Sequence, residues 1–478
     1  MDRRGLNSLL RNISFGSLSL IVVVLVGATV VEKYNGAGFV LATVYHSPWF
    51  VALWALSALS GLCYILQQRG KRFGASFLLH ISFLVVLAGA LLTWLTATRG
   101  AMYVAVDAPP ASMYETAEGA LLKLPFRVSL VSFSVERSGA VPIDYVASLA
   151  LQRADGSCHN VLLSMNNPSG MDGYRLYISS YEGDVVKLLV NYDPWGTPLT
   201  YVGYAMLLLS LVWLLCARDA GFRVALAQLR GVRVDDAPRE RSVAAGLGRA
   251  RLPLALLLFF VIGYVGIRRW LQTGCFPASN GYEALLLLAW CSLLAGLLLH
   301  RRYSAALSYS LVLALLASVG FAVGGASSSA APSPVLRTPL LAVHVVQVII
   351  AYVLLAAMAV NAVVALWHWY FRCDEEKVAH LATVGRVLLY PAVALLVTGV
   401  FTGAVWANLS WGRYWGWDPK EVWALVTLLV CAAAFHTRSL PFISRPLAFH
   451  IFSLVAFLAV LFTYFGVNFL LGGLHSYA

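Results

Sequence analysis

The sequence predicts an all-α polytopic membrane protein of about eleven transmembrane helices, with one small β-rich extracytoplasmic domain. Three observations predict it. Of the 478 residues, 60% are hydrophobic and 12% are charged, against roughly a quarter charged in soluble proteins. Eleven apolar segments approach the ~20 residues needed to cross the hydrocarbon core. Between the third and fourth of them, residues 99–198 are polar and alternate with a period of two.

The segments lie near 14–31, 48–66, 74–97, 199–217, 252–271, 282–299, 304–324, 340–370, 381–403, 421–437 and 447–470. The first is too long for a removable signal peptide and lacks a small-residue cleavage site, so it is expected to stay as an anchor. Basic residues set the orientation. With the N-terminus in the cytoplasm, 21 of the 34 Lys and Arg fall on inner connections. The Trp-rich connection near 404–420 and the C-terminus then face outward. The net charge of +12 therefore reports topology, and no nucleic-acid partner is expected. Seven cysteines contain no C-x-x-C pair, which excludes a thioredoxin-like reductant and a c-type cytochrome.

Residues 1–98 give three spans, the third carrying His80 about a third of the way across from the inner face. An ionisable side chain at that depth costs a few kcal/mol and tends to face the bundle interior; a His that only hydrogen-bonds a neighbouring helix is the bland alternative. In residues 99–198, R127-V-S-L-V-S-F-S-V-E and D144-Y-V-A-S-L-A-L-Q read as strands, with turns at N166-N-P-S-G and E182-G-D. A β-sandwich or lid is expected, and no catalytic constellation is visible in it. The fourth span and the Arg-rich stretch 218–251 form a linker unit at 199–251, ahead of a second membrane unit at 252–478. Glu283 opens the sixth span, where a carboxylate commonly serves as a helix cap.

The chemistry concentrates at W406-A-N-L-S-W-G-R-Y-W-G-W-D-P-K-E-V-W423, which places five Trp and Tyr414 within eighteen residues. Gly412, Gly416 and Pro419 interrupt helix there. An interfacial aromatic belt is the plain alternative. A belt does not account for Asp418, Lys420 and Glu421 interleaved with Trp411, Trp415 and Trp417; a flat aromatic ligand with polar edges accounts for both. Four histidines accompany the stretch. His344 opens the eighth span and His475 follows the last, both outside, while His80 and His436 lie toward the inside. Haem iron takes two axial ligands and imidazole is a frequent one; zinc or copper would use His too, but neither needs five Trp. The outer site is thus read as a haem site, ligated by His344 and His475 and walled by Trp406, Trp411, Tyr414, Trp415, Trp417 and Asp418.

W411-G-R-Y-W-G-W-D-P-K-E-V-W-A-L resembles the WWD motif of haem-handling proteins, and V405-W-A-N, H436-T-R and G473-L-H-S-Y-A resemble its CcsA (ResC) version. N167-P-S-G-M-D-G-Y-R-L-Y-I-S-S-Y with N191-Y-D-P resembles the end of CcsB (ResB). Together they resemble the fused CcsBA, System II cytochrome c synthases. The resemblance implies that His80 and His436 bind haem b on its way outward and that His344 and His475 hold it at the external site. There haem is presented to the C-x-x-C-H of apocytochrome c, whose two thiols add to the vinyl groups. An extracytoplasmic thiol reductant and membrane lipid are the other implied partners. A haem exporter serving a separate ligase, and a b-type membrane cytochrome, are the alternatives.

Overall fold

A computed structural model describes residues 3–67, 74–138, 141–217, 221–231, 243–300, 304–324 and 333–471. Among these, ten helices are long and apolar enough to cross a membrane. The front part supplies α1 (Arg3–Asn35), α2 (Ala37–Val40), α3 (Pro48–Gln67), α4 (Ala75–Thr96) and, after the β domain, α5 (Gly196–Cys216) and α6 (Gly221–Gly231). The back part supplies α7 (Val243–Thr273), α8 (Gly281–Leu299), α9 (Ser304–Gly324), α10 (Pro339–Trp367), α11 (Glu375–Trp411), α12 (Pro419–Ala433) and α13 (Pro446–Leu461), the last continued as a wider π-helical turn over Phe462–Leu471.

The expected tenth span, 421–437, differs. Pro419 starts α12 two residues earlier than expected, but the chain turns at Ala434, leaving 15 helical residues, about 22 Å at 1.5 Å per residue. The connection still joins opposite ends of the bundle. Arg386, near the start of α11, donates to the carbonyls of Ile443 and Ser444 beyond α12, while α11 itself ends beside the start of α12. The ninth segment is correspondingly longer than expected: α11 runs to Trp411, so Trp406 and Trp411 stand on a helix and only residues 412–418 form the loop.

Between α4 and α5 lie eight strands: β1 (Thr98–Ala105), β2 (Ala111–Thr116), β3 (Leu121–Ser138), β4 (Val141–Arg153), β5 (Cys158–Leu163), β6 (Ser169–Met171), β7 (Tyr174–Glu182) and β8 (Val185–Tyr192). They make one antiparallel sheet in the order β5-β4-β3-β2-β1-β8-β7-β6, not the two layers of a sandwich. Register shifts at Leu130/Ser132 and Ile178/Ser180 bend it, and edge strands β5 and β6 approach each other. The curled sheet closes over Met102, Tyr114, Phe126, Leu149, Leu163, Leu176 and Leu188.

Two apolar clusters tie the front and back parts together. Ile21, Leu25 and Phe50 pack with Val422, Trp423 and Val426 of α12, and Leu207 and Leu211 of α5 join the large cluster of α10, α11 and α13. The Trp-rich loop therefore sits where both parts meet at the β-domain end of the bundle.

Candidate functional site

Gly412 ends α11. It adopts φ 72°, and its N–H bonds the Asn408 carbonyl at 3.2 Å; a side chain there would be strained and would also meet the Tyr177 ring at 2.9 Å. Asp418 restarts helix as the N-cap of α12. Its carboxylate accepts from the Lys420 N–H at 2.9 Å, and Glu421 reaches back to the N–H groups of Gly416 at 2.8 Å and Asp418 at 3.3 Å. The two acids thus close a capping box that fixes the loop between the Trp residues.

The aromatic side chains of the stretch pack on different neighbours. Trp406 is buried and packs edge-on against Trp411 at 4.8 Å. Trp417, at φ 58°, stacks face-to-face on Tyr45 at 4.6 Å and 7°. Trp415 meets Trp417 edge-on at 5.9 Å, and among the described residues its buried indole N–H has no acceptor. Trp423 donates to Thr29 of α1 at 3.1 Å. Flat rings and one uncommitted donor are what an aromatic ligand with anionic edges requires.

The front part holds this loop by hydrogen bonds. Tyr414 donates to Thr93 at 2.7 Å, Asn191 to the Gly412 carbonyl at 2.6 Å, Ser410 to Asn166 at 2.7 Å and Asn408 to Tyr201 at 2.5 Å. Asp193 accepts from both Thr93 and Thr197 at 2.7 Å. Burial raises the Tyr414 pKa, against the lowering effect of its bond to Thr93, so it stays a neutral donor. Sequence reading found Tyr414 but not Tyr45, Thr93 or Asn191, since partners this distant in sequence leave no local pattern.

His344 lies on α10 between Leu341 and Val345, which pack with Trp406. Its Nδ1 is 2.7 Å from the Gly399 carbonyl, and a Cβ at Gly403 would lie 2.7 Å from its ring. The G399-V-F-T-G403 spacing, a small-xxx-small stripe that lets helices approach closely, was the available signal. His475 lies outside the described residues.

The other two histidines meet at the opposite end. His80 and His436, 356 positions apart in sequence, have ring centroids 5.9 Å apart and perpendicular planes, with Phe15 edge-on to His436 at 5.5 Å. Nδ1 of His80 lies 2.6 Å from the Ser76 carbonyl and Nδ1 of His436 lies 3.0 Å from that of Ala432. A carbonyl only accepts, so in each neutral ring the proton sits on Nδ1 and the Nε2 lone pair remains for a metal. The pair stands about 20 Å from the Trp loop, since His80 and Thr93 are thirteen residues apart on α4. No group of three or more His, Cys, Asp or Glu that could hold a bare metal ion occurs among the described residues. The Glu283 carboxylate accepts from Arg269 at 2.7 Å and from the Ser279 hydroxyl at 2.6 Å, while the N-cap of α8 is Asn280, which accepts from the Glu283 N–H at 2.8 Å.

Residues 278–475 match the family described as cytochrome C assembly protein, and residues 67–192 match the ResB-like family. The chain is 36% identical to Protein NrfI of Wolinella succinogenes over 243 residues, 48% of this chain but only 26% of that protein. It is 35% identical to the cytochrome c biogenesis protein CcsA of a Synechococcus species over 272 residues, 49% of this chain and 87% of that protein. The CcsA of Chlamydomonas reinhardtii is 34% identical over 246 residues, covering 48% of this chain and 67% of that one. With a ResB-like front part joined to a CcsA-like back part in one polypeptide, the chain belongs to the fused CcsBA, System II family of cytochrome c biogenesis proteins.

Proposed function

We propose that this protein is a holocytochrome c synthase. It takes up haem b as substrate at His80 and His436, on the cytoplasmic side of a bacterial-type inner membrane. It passes haem to the opposite face and holds it there between His344, His475 and the Trp-rich loop. Apocytochrome c brings a C-x-x-C-H segment, and each Cys S–H adds across one vinyl C=C, the sulfur taking one carbon and the proton the other. No net oxidation occurs, so the thiols must arrive reduced, which calls for an extracytoplasmic thiol reductant.

The observation that carries this reading is the convergence of His80 and His436, each with Nδ1 on a backbone carbonyl, on a bundle whose far end bears the Trp loop. The protein's contribution to the bond-forming step is placement. Two vinyl groups held against two thiols turn a bimolecular addition into an effectively intramolecular one, which accounts for rate without a nucleophile from this chain. Neutral imidazoles fix the iron while the Trp rings, the Trp415 indole N–H and Tyr414 orient the macrocycle.

Co-expression with an apocytochrome c in cells lacking other maturation proteins tests it. Haem stain should remain on the cytochrome after denaturation, because thioether bonds survive and axial ligation does not. A protein that only exports haem would leave the cytochrome unstained. One that keeps tightly bound, redox-active haem would be a b-type cytochrome.

A further inference from the structure

Beside the His80–His436 pair, at the end of the bundle remote from the β domain, lies a cavity of about 220 Å³. Arg386, Leu389 and Tyr390 of α11 line it, together with Phe435 and Thr437, the two neighbours of His436, and Ser444. Arg386 commits Nη2 to the carbonyls of Ser444 at 2.7 Å and Ile443 at 3.4 Å, and its guanidinium lies 5.0 Å from the centre of the Phe449 ring. Among the described residues its Nε and Nη1 have no acceptor. Tyr390 packs on Phe435 at 4.8 Å, so the cavity has one aromatic wall and one cationic corner.

The volume falls below the roughly 300 Å³ at which small-molecule sites begin, so it admits the edge of a ligand and not a whole macrocycle. A half-buried cation with unused donors, next to neutral hydroxyls, selects a carboxylate or phosphate. Residues on both sides of His436 line the space, so a ligand edge held in it stands next to the turn of chain that carries that imidazole.

We infer that this cavity docks a carboxylate arm of haem as it reaches His80 and His436, with Arg386 as the cationic contact and Tyr390 and Thr437 as neutral ones. The inference rests on the haem reading proposed above and adds a recognition site where haem enters.

The test uses the full chain carrying His344→Ala, so that the inner site is read alone, in neutral phosphatidylcholine nanodiscs. Haem and haem dimethyl ester, which lacks the carboxylate charges, are titrated against the bis-imidazole absorbance bands. Haem should bind about tenfold tighter than the ester, the usual scale of one charge-assisted contact. Arg386→Gln should erase that preference and Arg386→Lys should keep much of it. Because Arg386 also braces residues 443–444, Thr437→Val serves as a second variant that leaves this brace alone, and it should narrow the preference. If the starting protein binds haem and its ester equally, or Arg386→Gln keeps the full preference, the inference fails. Loss of a co-purified anionic phospholipid from Arg386→Gln, with the haem preference intact, would assign the cavity to a lipid headgroup and overturn it too. If the starting protein binds neither compound, the haem reading itself falls.

Discussion

An imidazole whose Nδ1 proton is held by a main-chain carbonyl presents one lone pair in one direction, and His80, His436 and His344 all carry that arrangement. His450 is reversed: its Nε2 contacts the Val378 carbonyl at 3.1 Å and it is buried, as a packing histidine would be. On this basis His344→Ala should cut covalent haem attachment at least tenfold without lowering the amount of protein, scored by haem stain on denatured cytochrome; normal attachment would remove His344 from the site. His80→Ala should instead lower haem loading at the outer site. Gly403 gives a sharper test, because a Cβ there lies 2.7 Å from the His344 ring and overpacking of this kind costs about 1–3 kcal/mol. Gly403→Ala should therefore shift the absorption spectrum of haem bound at the outer site, while leaving the inner-site spectrum unchanged. That His80 and His436 share one end of the bundle and His344 lies toward the other was legible in the sequence because span length converts position into height. The partner of each Nδ1 was not, since it depends on how neighbouring helices are rotated.

Single elements carry their own stakes. The Trp loop keeps its shape because α11 stops at a left-handed Gly412 and α12 restarts at the Asp418–Glu421 box. Glu421→Ala should cost about 1 kcal/mol, as loss of a helix cap does, and broaden the bound-haem spectrum, whereas Glu421→Gln should keep most of the box. In the β domain, Arg153 donates two hydrogen bonds to Asp172, holding that carboxyl below its ordinary value of 3.8. A depressed carboxyl stabilises the folded state above its unfolded pKa and loses that contribution as pH falls through the folded one. Unfolding of the β domain should thus show an acid limb below about pH 4 that Asp172→Asn flattens, followed by near-UV circular dichroism. The strands and the breaker residues were readable from alternation and from Gly and Pro. The single curled sheet was not, because bulges and edge approach are set by pairing between strands. Nor was the length of α11: an apolar window ends where polar residues begin, but a helix ends where its carbonyls find other partners.

At the scale of the molecule, α4 spans the distance between the two candidate haem positions, with His80 near one end and Thr93 bonded to Tyr414 near the other. The ResB-like and CcsA-like parts are joined by Asn191 on Gly412, Ser410 on Asn166 and Asn408 on Tyr201, besides the shared apolar clusters. Asn191→Ala leaves the Gly412 carbonyl buried without this donor, a loss worth about 1–3 kcal/mol, and should lower outer-site haem retention more than inner-site retention.

These contacts make peptide continuity between the two parts dispensable. The interface is made by side chains and apolar surface from both parts, α6 adding the Phe222 ring 5.9 Å from that of Tyr390 on α11, so the chain between α6 and α7 is expected to contribute mainly local concentration. A cut or stop-and-restart placed there should yield two polypeptides that find one another in the bilayer, co-purify, and mature cytochrome c at reduced yield. Asn191→Ala should be far more harmful in that two-piece protein than in the intact chain, because the tether no longer compensates for the weakened seam.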